Sequence, residues 1–167
     1  MGSASGIAIR RSGGDDVEAI WRCLDAVSRE RRYLGFVAAP PLVQVRDFLA
    51  SHSVIQFVAL ARDEVVGWCD VTRNPLEGFR HSAVLGMGLL PAFRGQGLGQ
   101  ALLRETLAGA RADGLLRIEL EVFASNRAAI ALYEKHGFAH EGTKRRGRIL
   151  DGHADDICCM ALLLPEA

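Results

Sequence analysis

The chain has 167 residues, 49% of them hydrophobic, and its 20 Lys+Arg offset 20 Asp+Glu to a formal net charge of zero. That length and apolar content suit one domain with a sizeable core, read as residues 1–167, and the balanced charge offers no electrostatic case for nucleic acid or an anionic membrane as partner. No apolar run reaches the roughly 20 residues that span a bilayer.

Met1 to Arg11 lacks the basic-then-apolar layout of a secretory signal. Gly2-Ser3 opens like a myristoylation site, but that pattern wants Ser or Thr at position 6, where Gly6 stands. Gly6 to Arg11 alternates enough for a first strand. Asp15 or Asp16 can cap a helix running to about Glu30, with Val17, Ile20, Trp21, Leu24 and Val27 recurring at three and four. Pro40-Pro41 breaks the chain before a short helix over Leu42 to Ala50. Val54 to Arg62 and Val65 to Thr72 read as a hairpin turned at Asp63-Glu64. Ser82 to Leu90 is almost uniformly apolar, which predicts a central strand covered on both faces.

Gly97 to Asp113 is a helix that Gly114 stops. Leu116 to Phe123 alternates strictly, with Arg117, Glu119 and Glu121 on one face and apolar residues on the other. Ser125 or Asn126 caps a helix that Gly137 ends. Phe138 to Leu150 and His153 to Leu164 form a second hairpin on the Asp151-Gly152 turn. The order β-α-α-β-β-β-α-β-α-β-β places hairpins around a strand-helix-strand-helix centre. The expected fold class is α/β (α+β), a mixed, mostly antiparallel sheet of seven strands flanked by four helices.

Cys23, Cys69, Cys158 and Cys159 fit no zinc spacing, and the adjacent Cys158–Cys159 pair is poorly placed for a disulfide. They read as buried free thiols of a protein in a reducing cytoplasm, and no metal is expected.

The chemistry centres on Arg94-Gly95-Gln96-Gly97-Leu98-Gly99, a glycine-rich loop between the central strand and the third helix. Glycines let the backbone approach a ligand closely. The free N–H groups and positive dipole end of the following helix point at the same place. Loop and helix together form a phosphate or pyrophosphate site. A Walker loop would need Gly-Lys-Ser/Thr, and a Rossmann loop a different glycine spacing inside a parallel frame.

These residues resemble the GNAT superfamily of acetyl-CoA-dependent N-acetyltransferases. Its loop pattern, Arg/Gln-x-x-Gly-x-Gly/Ala, is matched by Arg94, Gly97 and Gly99. A second match runs from Val122 through Asn126 to Tyr133 and Gly137-Phe138, and the element order agrees from Ile7 to Leu164. The resemblance implies acetyl-CoA as acetyl donor and a primary amine of a small molecule or peptide as acceptor, with a homodimer as the assembly. It also implies roles. Main-chain groups of Leu89 and Leu90 would pair with the pantetheine arm. The N–H groups of Arg94, Gly95, Gln96, Gly97, Leu98 and Gly99 would hold the pyrophosphate. Asn126 would hold the arm or the adenosine side, and Tyr133 would protonate the departing thiolate.

The residues themselves allow the same chemistry, since a phenol can act as general acid and a backbone N–H near Leu89 can polarise a carbonyl. Gly86 and Gly88 remove side chains from one face of the central strand, either for the acceptor and thioester or for tight packing. The central strand carries no acid. A general base could be Glu30, Asp70, His81, Glu119, Glu121, Asp155 or Asp156, each also readable as a solvated charge; Glu119 and Glu121, sharing one face of a core strand, are the least comfortable as surface residues, and water could carry the proton away without a dedicated base. Glu30 and Asp155 could also receive the amine. Lys144, Arg145, Arg146 and Arg148 form a basic run on the second hairpin. Cysteine nucleophiles lack an adjacent His, so the expected mechanism is direct attack in a ternary complex. Two other functions fit the same residues: a CoA-binding regulatory module without turnover, and a transferase for a longer acyl-CoA.

Overall fold

The structure, a computed structural model, describes residues 6–166; Gly2 and Ser3 lie outside the described residues. Seven strands form one sheet: β1 (Ile7–Arg11), β2 (Val54–Ala61), β3 (Glu64–Arg73), β4 (Ser82–Leu89), β5 (Arg117–Phe123), β6 (Ala139–Leu150) and β7 (His153–Leu163). The helices are α1 (Val17–Arg29), α2 (Leu42–Ala50), α3 (Leu98–Ala112) and α4 (Arg127–Lys135). No described helix is long and apolar enough to cross a membrane. The strand order is β1-β2-β3-β4-β5-β7-β6, antiparallel except for β4 and β5.

The parallel pair decides where the site lies. It holds for only three residue pairs, Ser82↔Arg117 to Val84↔Glu119. Beyond them β4 stays paired to β3 as far as Gly67↔Leu89, and β5 stays paired to β7 as far as Phe123↔Ile157. The sheet therefore opens into a V between the two strand ends. Leu90 N–H donates to Val66 O (2.9 Å) on the β3 side, whereas His81 O accepts from Leu116 N–H (2.8 Å) on the β5 side. Main-chain groups alternate sides along a strand. Odd-numbered residues of β4, Met87 and Leu89 among them, thus turn their N–H and C=O toward the V.

Each face of the sheet carries its own core. On one, Leu102, Leu103, Leu107 and Ala110 of α3 pack on Ile55, Cys69, Val71, Leu85 and Ile118. The helix sits close, since a Cβ on Gly109 would lie 3.1 Å from Ile55 and from Phe57. On the other, Ile20, Cys23 and Val27, one stripe of α1 at three- and four-residue spacing, cover Val58, Leu60 and Trp68. Burying each such side chain stabilises the fold by about 1.5–3 kcal/mol.

Three expectations are corrected. Central strand β4 is not covered throughout, because α1 and α2 stop short of its first half and leave Val84 53% exposed. Asp16 precedes α1 but caps it with no side-chain bond, because its carboxylate is held by Arg10 (2.7 and 2.8 Å) and by Gly13 N–H (2.7 Å). Cys23 and Cys69 are buried free thiols, whereas Cys158 and Cys159 are half-buried, because β7 near the hairpin is only partly covered.

Candidate active site

A tight turn over Pro91–Phe93 carries the chain from β4 into the glycine loop. Gly95 (φ +70°) and Gly97 (φ +82°) are both left-handed, and a Cβ at either would meet no atom within 4 Å. Conformation rather than crowding therefore requires glycine at both positions. Gly97 is the N-cap of α3, without a side-chain cap, and the first N–H to bond back is that of Ala101, to Gly97 O at 3.1 Å. The N–H groups of Leu98, Gly99 and Gln100 thus start a fifteen-residue helix with no intrahelical acceptor. A left-handed turn leading into such a helix end is an anion cradle. Gln96 joins it through its backbone, since its side chain turns back to Ala92 O (2.8 Å).

Arg94 does not extend its charge outward. Its guanidinium donates to Leu89 O (2.7 and 2.9 Å) and to Glu30 (2.8 Å), and lies 4.7 Å from the Tyr33 ring centre. This clamp ties the end of α1 to the end of β4 and the start of the loop. Glu30, expected at the acceptor, is engaged with Arg94 instead, because the two carboxylate oxygens match the guanidinium fork. Leu90 also departs from expectation. Its N–H serves the sheet and its C=O accepts from Phe93 N–H (3.0 Å). Leu89 O is held by Arg94, which leaves its N–H facing the V. Met87, missed in the sequence, turns both main-chain groups there; counting two residues back from Leu89 would have found it.

Across the V, Asn126 caps α4, its Oδ1 accepting from Ala129 N–H at 3.2 Å. Tyr133 sits in the second turn of α4, 6% exposed, its ring 5.6 Å from that of Phe138. Burial pushes its phenol well above the ordinary tyrosine range, with Cys69 adding to the same direction. The phenol therefore keeps its proton at neutral pH. Burial likewise raises the Cys69 thiol and pushes Cys23 up to about 12, so neither is a ready thiolate nucleophile.

The remaining acids are placed elsewhere. Glu119 pairs with Arg117 (2.6 Å) and Glu121 with Lys144, both about half exposed on the open face. Exposed pairs of this kind are worth about 0–1 kcal/mol, and the carboxylates are turned to their cations rather than to the V. Asp155 receives Ser125 Oγ and, at 3.3 Å, Ser125 N–H, which fastens the turn before α4. Asp156 accepts from Arg146 N–H (2.7 Å) within the hairpin. Of the basic run, Arg148 lies over Phe123 (4.5 Å) and donates to Arg31 O (2.9 Å).

Asp70 is the exception. It lies on β3 between Gln56 of β2 and Gly86 of β4, on the α1 side of the sheet, and is 8% exposed. Burial raises its carboxyl to about 7, with donors on Gln56 and Trp68 drawing it partway back. A Cβ on Gly86 would lie 3.7 Å from Asp70 Oδ1, so this glycine leaves the carboxylate uncovered. Gly88 behaves differently. Its vacant side is filled by the Trp68 indole, which would stand 2.4 Å from a Cβ, and its expected role in making room for a ligand gives way to packing. Asp70 and Gly86 line a cavity of about 400 Å³ under α1 and α2, and Met87, shared with the V, lines it as well.

Residues 20–138 match the model of the acetyltransferase (GNAT) family. The chain is 36% identical over 119 residues to the N-alpha-acetyltransferase RimI of Mycobacterium tuberculosis, covering 68% of this chain and 70% of that protein. It is 35% identical over 111 residues to the L-amino acid N-acetyltransferase AaaT of Escherichia coli, covering 64% and 66%. Among the first of its curated relatives the chain spans about half to two thirds of their length. The crystal structure of a GNAT-family acetyltransferase from Streptococcus pneumoniae superposes with a TM-score of 0.88 at 28% identity, over 95% of this chain and 99% of that one. With the loop, the splayed parallel pair and the seven-stranded order all in place, the chain belongs to the GNAT acetyltransferase family.

Proposed function

We infer that the protein is an N-acetyltransferase that moves an acetyl group from acetyl-CoA to a primary amine of a small molecule or peptide by direct attack in a ternary complex. The observation that carries this reading is the anion cradle of Gly95 to Gln100 placed at the open end of the V, where Met87 and Leu89 offer unpaired main-chain groups. Acetyl-CoA supplies an activated acetyl group on a thioester. The N–H groups from Arg94 to Gly99 would hold its pyrophosphate. Met87 and Leu89 would pair with the pantetheine arm as a strand partner does. Leu89 N–H, turned toward the V, would polarise the thioester carbonyl. Tyr133, protonated at neutral pH, would give its proton to the departing thiolate. Asn126 would keep α4 and its tyrosine in register through its cap.

Calorimetric titration of acetyl-CoA into the wild type and Gly97→Glu tests this. Micromolar binding that the variant abolishes supports the reading, and a folded wild type that binds no acetyl-CoA overturns it. A cytoplasmic enzyme is supported by the free thiols. A homodimer is supported by the family resemblance alone, and sedimentation equilibrium tests it.

A further inference from the structure

The cavity under α1 and α2 has an unusual division of polarity. Its walls are mostly apolar, formed by residues such as Leu24, Leu34, Val45 and Leu49 with the Gln44 amide among them, and Phe36 and Phe48 stand at 53% and 40% exposure on its lining. Asp70 is the only ionisable side chain among the described residues that line it. Next to Asp70, Gln56 is 4% exposed and its Oε1 is buried without a hydrogen-bond partner. Asp70 is thus the one charged acceptor on the floor of an apolar chamber, steadied by a donor on the Gln56 side chain.

We propose that this cavity is the acceptor site and selects a primary amine on an uncharged, apolar body, with its nitrogen at the Asp70 carboxylate. The inference rests on the acetyltransferase reading and names its substrate class. An ammonium group carries three donors and a positive charge, which matches a lone carboxylate in an apolar chamber. An amino acid with a free carboxylate would bring a second anion toward Asp70 with no cation on the lining to receive it, and a polyamine would bury a further cation against apolar walls. Both cost desolvation without a charged partner. In the reaction Asp70 takes one proton from the bound ammonium, which leaves a lone pair on the nitrogen. That pair forms the C–N bond as the C–S bond breaks, the thiolate takes its proton from Tyr133, and the second proton shed by the new amide nitrogen restores the Tyr133 phenol. Met87 lines the cavity and turns its main chain to the V, so the amine and the thioester would meet at β4.

The test uses 2-phenylethylamine as probe, titrated into the full chain by calorimetry without acetyl-CoA, beside 2-phenylethanol and phenylalanine. The amine should bind at least about tenfold more tightly than either comparison compound, and Asp70→Asn should reduce it to the level of the alcohol. Phe48→Ala, a change on a half-exposed helix position, should weaken the amine by a few-fold and leave the fold intact. Phenylalanine binding as well as the amine overturns the proposal, as does full affinity in Asp70→Asn or no binding of the amine up to about 10 mM. The acetyl-CoA titration separates the two readings. Amine binding without acetyl-CoA binding keeps the pocket and discards the transferase, and the reverse discards the pocket.

Discussion

Asp70 is held under conditions that penalise its charge, and replacing it should make the protein more stable while removing activity. Its carboxyl is raised from 3.8 to about 7 by burial. At about 1.4 kcal/mol per pKa unit, that displacement corresponds to about 4 kcal/mol of folding free energy lost when the group must ionise. Between pH 4 and 7 the unfolded chain has released this proton while the folded chain retains it. Stability therefore falls as pH rises through this window and levels off above about 7. Asp70→Asn removes the charge and keeps the shape. The variant should match the wild type below pH 4 and exceed it by up to about 4 kcal/mol at pH 8. Urea melts of both proteins at half-unit steps from pH 4 to pH 8 read this directly. Equal midpoints for the two proteins at pH 8 would refute the argument that Asp70 is desolvated. Gain of stability with loss of turnover is the usual exchange at a site whose strained group does chemistry.

Three further outcomes follow from contacts at the site. Tyr133→Phe keeps the ring on Phe138 and removes the proton donor, so kcat should fall by about 100- to 10,000-fold with acetyl-CoA affinity unchanged; an unchanged kcat rules out the phenol as acid. Glu30→Gln weakens the charge-assisted clamp on Arg94 and should loosen the start of the loop, which calorimetry would read as weaker acetyl-CoA binding and urea melts as a loss of about 1–2 kcal/mol. Gly88→Val drives methyl groups into the Trp68 indole and should cost about 1–3 kcal/mol or more in urea melts, with acceptor affinity lost as the indole shifts; an unaltered melt would show that the indole moves freely.

The elements were legible in the sequence because their signals are local. Apolar spacing at three and four placed α1, strict alternation placed β5, and Asp151-Gly152, with φ of +52° and +76°, turned the second hairpin as its residue types require. The anion loop was legible for the same reason, since left-handed glycines and a helix start are contiguous in the chain. The acids were another matter: the shared face of β5 favoured Glu119 and Glu121, which the fold pairs with Arg117 and Lys144. Glu30, Asp70 and Asp155 are equivalent as letters, and each owes its role to a partner distant along the chain. Arg94 engages Glu30 from 64 residues away, and Ser125 engages Asp155 from 30 residues away. Asp70 alone is left in a chamber without a cation, because β2, β3 and β4 bring Gln56, Asp70 and Gly86 into one row under α1 and α2. Desolvation is a property of that assembled surrounding, and no single stretch of the chain contains it.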